Sequence, residues 1–119
     1  RSLCMSRHDD RVTLRQMLDH VREVTELTTG RSRSDLDTDR VLYLATLQLL
    51  QIVGEAANRL SEACRESHPE IPWAEIIALR NRLIHGYNNV DADILWKVMT
   101  VDTPALIASL ENIVRANGS

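Results

Sequence analysis

Val41-Leu42-Tyr43-Leu44-Ala45-Thr46-Leu47-Gln48-Leu49-Leu50-Gln51-Ile52-Val53-Gly54-Glu55-Ala56-Ala57 carries the densest apolar run in the chain. It has no proline and is about three times as long as an average strand of five or six residues, so it reads as a helix. The predicted helix covers residues 38–65, with Thr38 or Asp39 as its cap. A helix this apolar is buried on more than one side. In a chain of 119 residues, the size of one domain, a second buried side is a surface for a partner, and a homodimer is expected. The small residues Gly54, Ala56 and Ala57 allow another helix to come close, as ordinary packing also requires. Glu55 in such surroundings is expected to have a cationic partner, an Arg.

Composition supports helices packed on helices. Apolar residues make up 44 % of the chain and aromatics 3 %, with no Phe, so the core is built from Leu, Ile, Val and Ala. The net charge of -3 excludes a generally basic nucleic-acid coat but not a small local cationic site. Thirteen of the fourteen basic residues are Arg, with Lys97 the exception, a bias that a high-GC genome explains. Cys4 and Cys64 form no CxxC, no disulfide framework and no metal-spaced cluster, which suits a reducing compartment. No apolar run reaches membrane-spanning length and the N-terminus shows no signal-peptide pattern, so a cytoplasmic chain without a membrane partner is expected. Residues 1–8 are read as a flexible N-terminus, partly cloning-derived or an upstream extension if Met5 is the native start, and residues 9–117 as a single helical domain.

Around the long helix the pattern predicts three or four more. A first helix is expected over residues 9–27, where Val12, Leu14, Leu18, Val21, Val24 and Leu27 recur at near-helical spacing, followed by a polar loop at 31–38. Pro69 and Pro72 break the chain, and a helix is expected over 72–85, with Pro72 in its first turn and Gly86 stopping it. Another helix starts near Asp91. Asp102-Thr103-Pro104 reads as a restart, with Asp102 as cap, of a last helix reaching about Ala116. The result is an all-α bundle of four to five helices.

Most signatures of chemistry are missing: no P-loop, GxGxxG, GxSxG or HExxH occurs. Neither a metal site nor a cofactor is expected, because His8, His20, His68 and His85 have no His or Cys at useful helical spacing. What stands out is Arg80-Asn81-Arg82-Leu83-Ile84-His85-Gly86-Tyr87. Asn81 and His85 are four apart and share a helix face. Arg80 and His85, five apart, lie about 140° around an ideal helix and meet on one ligand only if the helix end unwinds or a second subunit supplies one of them. A fixed cation holds a phosphate and an imidazole moves protons near neutrality, a set suited to metal-free phosphodiester cleavage. The same residues can equally offset a helix dipole and cap its last carbonyls. Tyr87 alone reads as a packing residue with an exposed hydroxyl.

Arg80-x4-His85-x-Tyr87, with the polar Asn81 after the Arg, resembles the RX4HXY motif of HEPN ribonucleases, and more narrowly the HepT-like toxins paired with minimal nucleotidyltransferase antitoxins of the MntA type. The likeness extends through Ile52-Val53-Gly54-Glu55-Ala56-Ala57, His68-Pro69-Glu70-Ile71-Pro72-Trp73, residues 91–96 and Asp102-Thr103-Pro104. Asn88 stands where the family favours an aromatic. The resemblance implies a homodimeric HEPN bundle and a metal-independent endoribonuclease of a type II- or VII-like toxin–antitoxin pair, cutting RNA at the dimer interface. Arg80, Asn81 and His85 would be the catalytic residues and Arg82 a weaker contact to RNA. Tyr87 would accept AMP from the antitoxin, silencing the enzyme. Two alternatives are a non-catalytic HEPN subunit that binds the nucleotidyltransferase and is modified by it, and a plain helical interaction module.

Overall fold

The computed structural model describes residues 9–83 and 91–117, and the described residues are helical without strands. They form α1 (Asp10–Thr28), α2 (Asp35–Thr38), α3 (Arg40–Arg59), α4 (Glu62–Ser67), α5 (Trp73–Ile77), α6 (Leu79–Leu83), α7 (Ala92–Lys97), a π turn (Val98–Asp102) and α8 (Thr103–Ala116). The expected flexibility of residues 1–8 lies outside the described residues.

α1 follows its periodicity. Asp9 caps it by accepting from the Arg11 N–H at 3.0 Å, and Leu14, Met17, Leu18, Val21 and Val24 line the buried stripe. Gly30, at φ 77°, takes the left-handed turn that leads the chain away. α3 packs along α1. Asp39 caps α3 by accepting from the Leu42 N–H at 3.0 Å and pairs with Arg31 at 2.9 Å. The Leu42 N–H, then the Arg31 guanidinium, hold the Asp39 carboxyl below the usual carboxylate range.

The expected long helix over 38–65 is three elements. Its first residue, Thr38, ends the short α2 inside the segment expected to be loop, and Asp39 alone caps α3. At the other end α3 stops at Arg59, because Leu60 turns to extended backbone (ψ 147°) and buries its side chain at 3 % exposure. Ser61 then caps α4 by accepting from the Cys64 N–H at 3.1 Å. The cause of the break is remote in sequence: the Asp10 carboxylate accepts from the Ser61 N–H at 3.0 Å and from its hydroxyl at 2.6 Å. Arg65 donates to the carbonyls of Ala57 at 3.1 Å and Asn58 at 3.4 Å, near the freed C-terminus of α3.

One face of α3 is buried within the chain through Leu42, Leu47, Leu50, Val53, Ala56 and Ala57. Val41 and Leu44 on the other side are 77 % and 47 % exposed. Glu55 is exposed as well, and with its carboxylate in water it needs no buried cation. The apolar run therefore overstated how deeply the helix is enclosed by its own chain.

Two further boundaries differ from expectation. The helix expected over 72–85 breaks at Ala78 (φ −83°, ψ −1°), which takes the last bond of α5 by donating to the Ala74 carbonyl at 3.0 Å. Directly above this break α3 comes within touching distance: a Cβ on Gly54 would lie 3.0 Å from the Ile76 carbonyl oxygen. At Asp102-Thr103-Pro104 the chain does not restart. Asp102 is helical and makes no side-chain cap bond. A π turn carries α7 into α8, with the Thr103 N–H reaching the Val98 carbonyl five residues back and the Thr103 hydroxyl taking the Met99 carbonyl at 2.8 Å. Pro104 lacks an N–H and would crowd a carbonyl in a regular helix; the wider turn relieves it.

The core forms two clusters. One joins α1, the C-terminal half of α3, Trp73 and α8. The other joins Val24, Leu36, the N-terminal half of α3, α6, α7 and the π turn. A valine at Gly54 would push α5 off α3. We expect Gly54→Val to lower stability by about 1–3 kcal/mol, the range for overpacking a tight contact, with Gly54→Ala milder because alanine regains about 1 kcal/mol of helix propensity. Urea unfolding of the two variants beside the parent checks this order.

Candidate functional site

The segment Arg80-Asn81-Arg82 is carried by α6, and the fold explains where that short helix sits. Leu79 and Leu83, four apart, are 7 % and 0 % exposed in the second core cluster. They turn the opposite side of α6 outward, where Asn81 is exposed. Arg82 is half-buried and faces a groove bounded by α8. For Arg80 the backbone is described and lies in α6. His85, Tyr87 and the divergent Asn88 lie outside the described residues, so α6 places Arg80, Asn81 and Arg82 but not their meeting with His85.

Both ends of the segment that holds His85 and Tyr87 are fixed. The Asp91 N–H donates to the Leu83 carbonyl at 3.1 Å, tying the start of α7 to α6. Asp91 then caps α7, accepting from the Asp93 and Ile94 N–H groups at 3.0 and 3.2 Å. Arg33 bridges Asp93 at 2.7 Å and Asp37 at 3.2 Å, joining α7 to α2. Those two carboxylates hold the Arg33 guanidinium above its ordinary pKa, the Asp93 hydrogen bond first. These pairs are exposed and contribute positioning more than stability.

The reading of Arg80 and His85 as dipole-offsetting caps turns on His85 and falls outside the described residues. Two other histidines have local partners: His20 Nδ1 is 2.9 Å from Glu23, and His68 Nδ1 is 3.8 Å from Glu70. Among the described residues no three His, Cys, Asp or Glu side chains group as a metal site would need. Burial pushes the Cys64 thiol up, with Asp10 adding to it, which suits an inert thiol more than a nucleophile.

Sequence reasoning missed the clamp between Leu83 and Asp91 and the groove beside Arg82. The Leu79/Leu83 pair at helical spacing signalled the anchored face of α6; nothing local signalled that Lys97 shares the groove with Arg82.

An all-helical fold with Arg80, Asn81 and Arg82 on one anchored helix points to a class. The family model described as Ribonuclease HepT-like matches residues 17–113, across α6 and the segment after it. "Putative RNase MJ1380" of Methanocaldococcus jannaschii is 32 % identical over 107 residues, covering 90 % of this chain and 98 % of its own. "Probable ribonuclease HepT" of Thermococcus cleftensis is 32 % identical over 100 residues, 84 % of this chain and 91 % of its own. "Putative RNase TTE0752" of Caldanaerobacter subterraneus is 34 % identical over 107 residues, 87 % and 96 % of the two chains. No solved structure matches the chain. The chain belongs to the HepT-like ribonuclease family.

Asp91→Ala removes the carboxylate that caps α7. It is expected to cost about 1 kcal/mol, as loss of an N-cap does, read as a lower midpoint in denaturant unfolding. An unchanged midpoint would show that α7 is held by packing alone.

Proposed function

We propose that this protein is a metal-independent endoribonuclease toxin, cutting RNA in a cleft where Arg80 and His85 of two copies face each other. The observation that carries this reading is Arg80-x4-His85-x-Tyr87 inside a family match that runs without a break from residue 17 to 113. The exposed Val41 and Leu44 side of α3 supports a partner surface, since the face of that helix carrying Leu42, Leu47, Leu50 and Val53 is already buried within its own chain.

The chemistry needs no bound ion. The RNA 2′-oxygen attacks the adjacent phosphorus, the bond to the 5′-oxygen breaks, and a 2′,3′-cyclic phosphate remains. His85 takes the 2′-hydroxyl proton or returns a proton to the leaving oxygen. Arg80 stabilises the charge that builds on the phosphate oxygens. Asn81 orients the imidazole or the phosphate, and Arg82 contacts a neighbouring part of the strand. With a net charge of -3 the protein is a poor binder of long duplex, so the substrate is single-stranded or looped.

Tyr87 is the proposed switch. Its phenol oxygen accepts AMP from ATP, with pyrophosphate leaving, in a reaction run by the minimal nucleotidyltransferase antitoxin. The added nucleotide blocks RNA by bulk and by negative charge.

In excess EDTA the purified protein is expected to cleave RNA to cyclic-phosphate ends. His85→Ala and Arg80→Ala should each lose at least about a hundredfold in rate, the low end for a general acid or base, while remaining folded. Intact mass accompanies the assay. Inactivity with a mass raised by AMP units identifies a silenced enzyme. Inactivity at the unmodified mass contradicts the ribonuclease reading and favours a non-catalytic subunit.

A further inference from the structure

A groove beside α6 adjoins the motif through Leu79 and Arg82. The half-buried Ile76 and Leu106 give it accessible apolar surface, and the buried Leu50, Val53 and Leu79 also line it. It encloses about 260 Å³. One turn of an α-helix, about 10 Å wide and 5.4 Å long, displaces more than that, so a partner helix does not fit inside. A flat, small, largely apolar ligand does.

The charges around the groove narrow the choice. Arg82 and Lys97 reach it from α6 and α7, and Glu70, Glu75 and Asp102 stand at its rim. Three carboxylates against two cations make this a poor site for a bare anion. Lys97 and Asp102 lie 3.6 Å apart and are 62 % and 43 % exposed, so the lysine is loosely held and free to turn to a ligand. The groove's lining therefore combines apolar surface, carboxylate acceptors and two cations. That is the complement of a nucleotide: an aromatic face, donor groups on the base edge and a phosphate.

We infer that this groove is a base-binding subsite for a nucleotide of the RNA strand, with the base against Ile76 and Leu106 and its phosphate on Arg82 and Lys97. This rests on the ribonuclease reading for its meaning as a substrate site. The carboxylates also set a preference. Guanine presents two adjacent N–H donors that match the two oxygens of one carboxylate, whereas uracil presents one N–H between two carbonyl oxygens that a carboxylate repels. Guanosine is therefore the favoured base, and cleavage is expected near guanosines. Arg82 becomes the residue that joins the motif helix to base selection.

The test reads binding without cleavage. Methyl NMR of the full-length protein is titrated with guanosine 5′-monophosphate, uridine 5′-monophosphate, guanosine and inorganic phosphate. The guanine nucleotide is expected to shift the Leu50, Ile76, Leu79 and Leu106 methyls and to bind about tenfold tighter than the uridine nucleotide, which corresponds to about 1.4 kcal/mol. Ala105 is exposed on the α8 rim, so Ala105→Trp fills the groove without entering the core. It should abolish the shifts with the fold intact by circular dichroism. Arg82→Gln should weaken the nucleotide severalfold and leave guanosine unchanged. Absence of shifts at millimolar nucleotide, shifts that persist in Ala105→Trp, or equal shifts from inorganic phosphate overturn the assignment. Groove binding by a protein that cuts no RNA would instead contradict the ribonuclease reading alone.

Discussion

The contact between Gly54 and the Ile76 carbonyl governs the arrangement of the motif. A glycine in the middle of a helix costs about 1 kcal/mol against alanine, and here that cost allows α3 to lie directly on the backbone of α5. The chain breaks two residues after that contact, at Ala78, and the next helix is α6. Leu79 and Leu83 are driven into the second core cluster, and Arg80, Asn81 and Arg82 lie between them on α6. The carbonyl of Leu83 then receives the Asp91 N–H, so the segment with His85 and Tyr87 is held at both ends. A packing detail on one helix thus bears on where α6 and its Arg80-Asn81-Arg82 segment sit.

What was legible in the sequence follows from the range of the forces involved. α1 and the start of α3 are local: Asp9 and Asp39 are good caps, and the apolar stripe of α1 has the helical period. The breaks were hidden because their causes are distant. α3 ends where it does because Asp10, from another helix, claims both the N–H and the hydroxyl of Ser61. α5 and α6 separate under a neighbour that no window over residues 72–85 contains. Asp102-Thr103-Pro104 has the composition of a helix start, yet a π turn satisfies the same residues without one, and a pattern of residue types does not distinguish the two.

The site divides in the same way. Arg80, Asn81 and Arg82 are marked by their order and spacing, and the fold places all three on one anchored helix. The groove next to them was not legible, since it gathers side chains from six helices and the π turn spread along the chain. The outward side of α3 gave a partial lesson. Its near-continuous apolar run suggested burial on two sides, and within the chain only one is buried, leaving Val41 and Leu44 for a second copy in the proposed dimer. Such a dimer would also resolve the spacing of Arg80 and His85, because neither would need its counterpart on its own helix.

The central claim, one RNA-cutting site assembled from the Arg80 and His85 of two copies, is tested most directly by mixing two inactive variants. Arg80→Ala and His85→Ala are unfolded together, refolded as mixed dimers confirmed by native mass spectrometry, and assayed for RNA cleavage in EDTA. The shared site predicts that activity absent from each variant alone returns in the mixture. Mixed dimers that form and still leave RNA intact would contradict it.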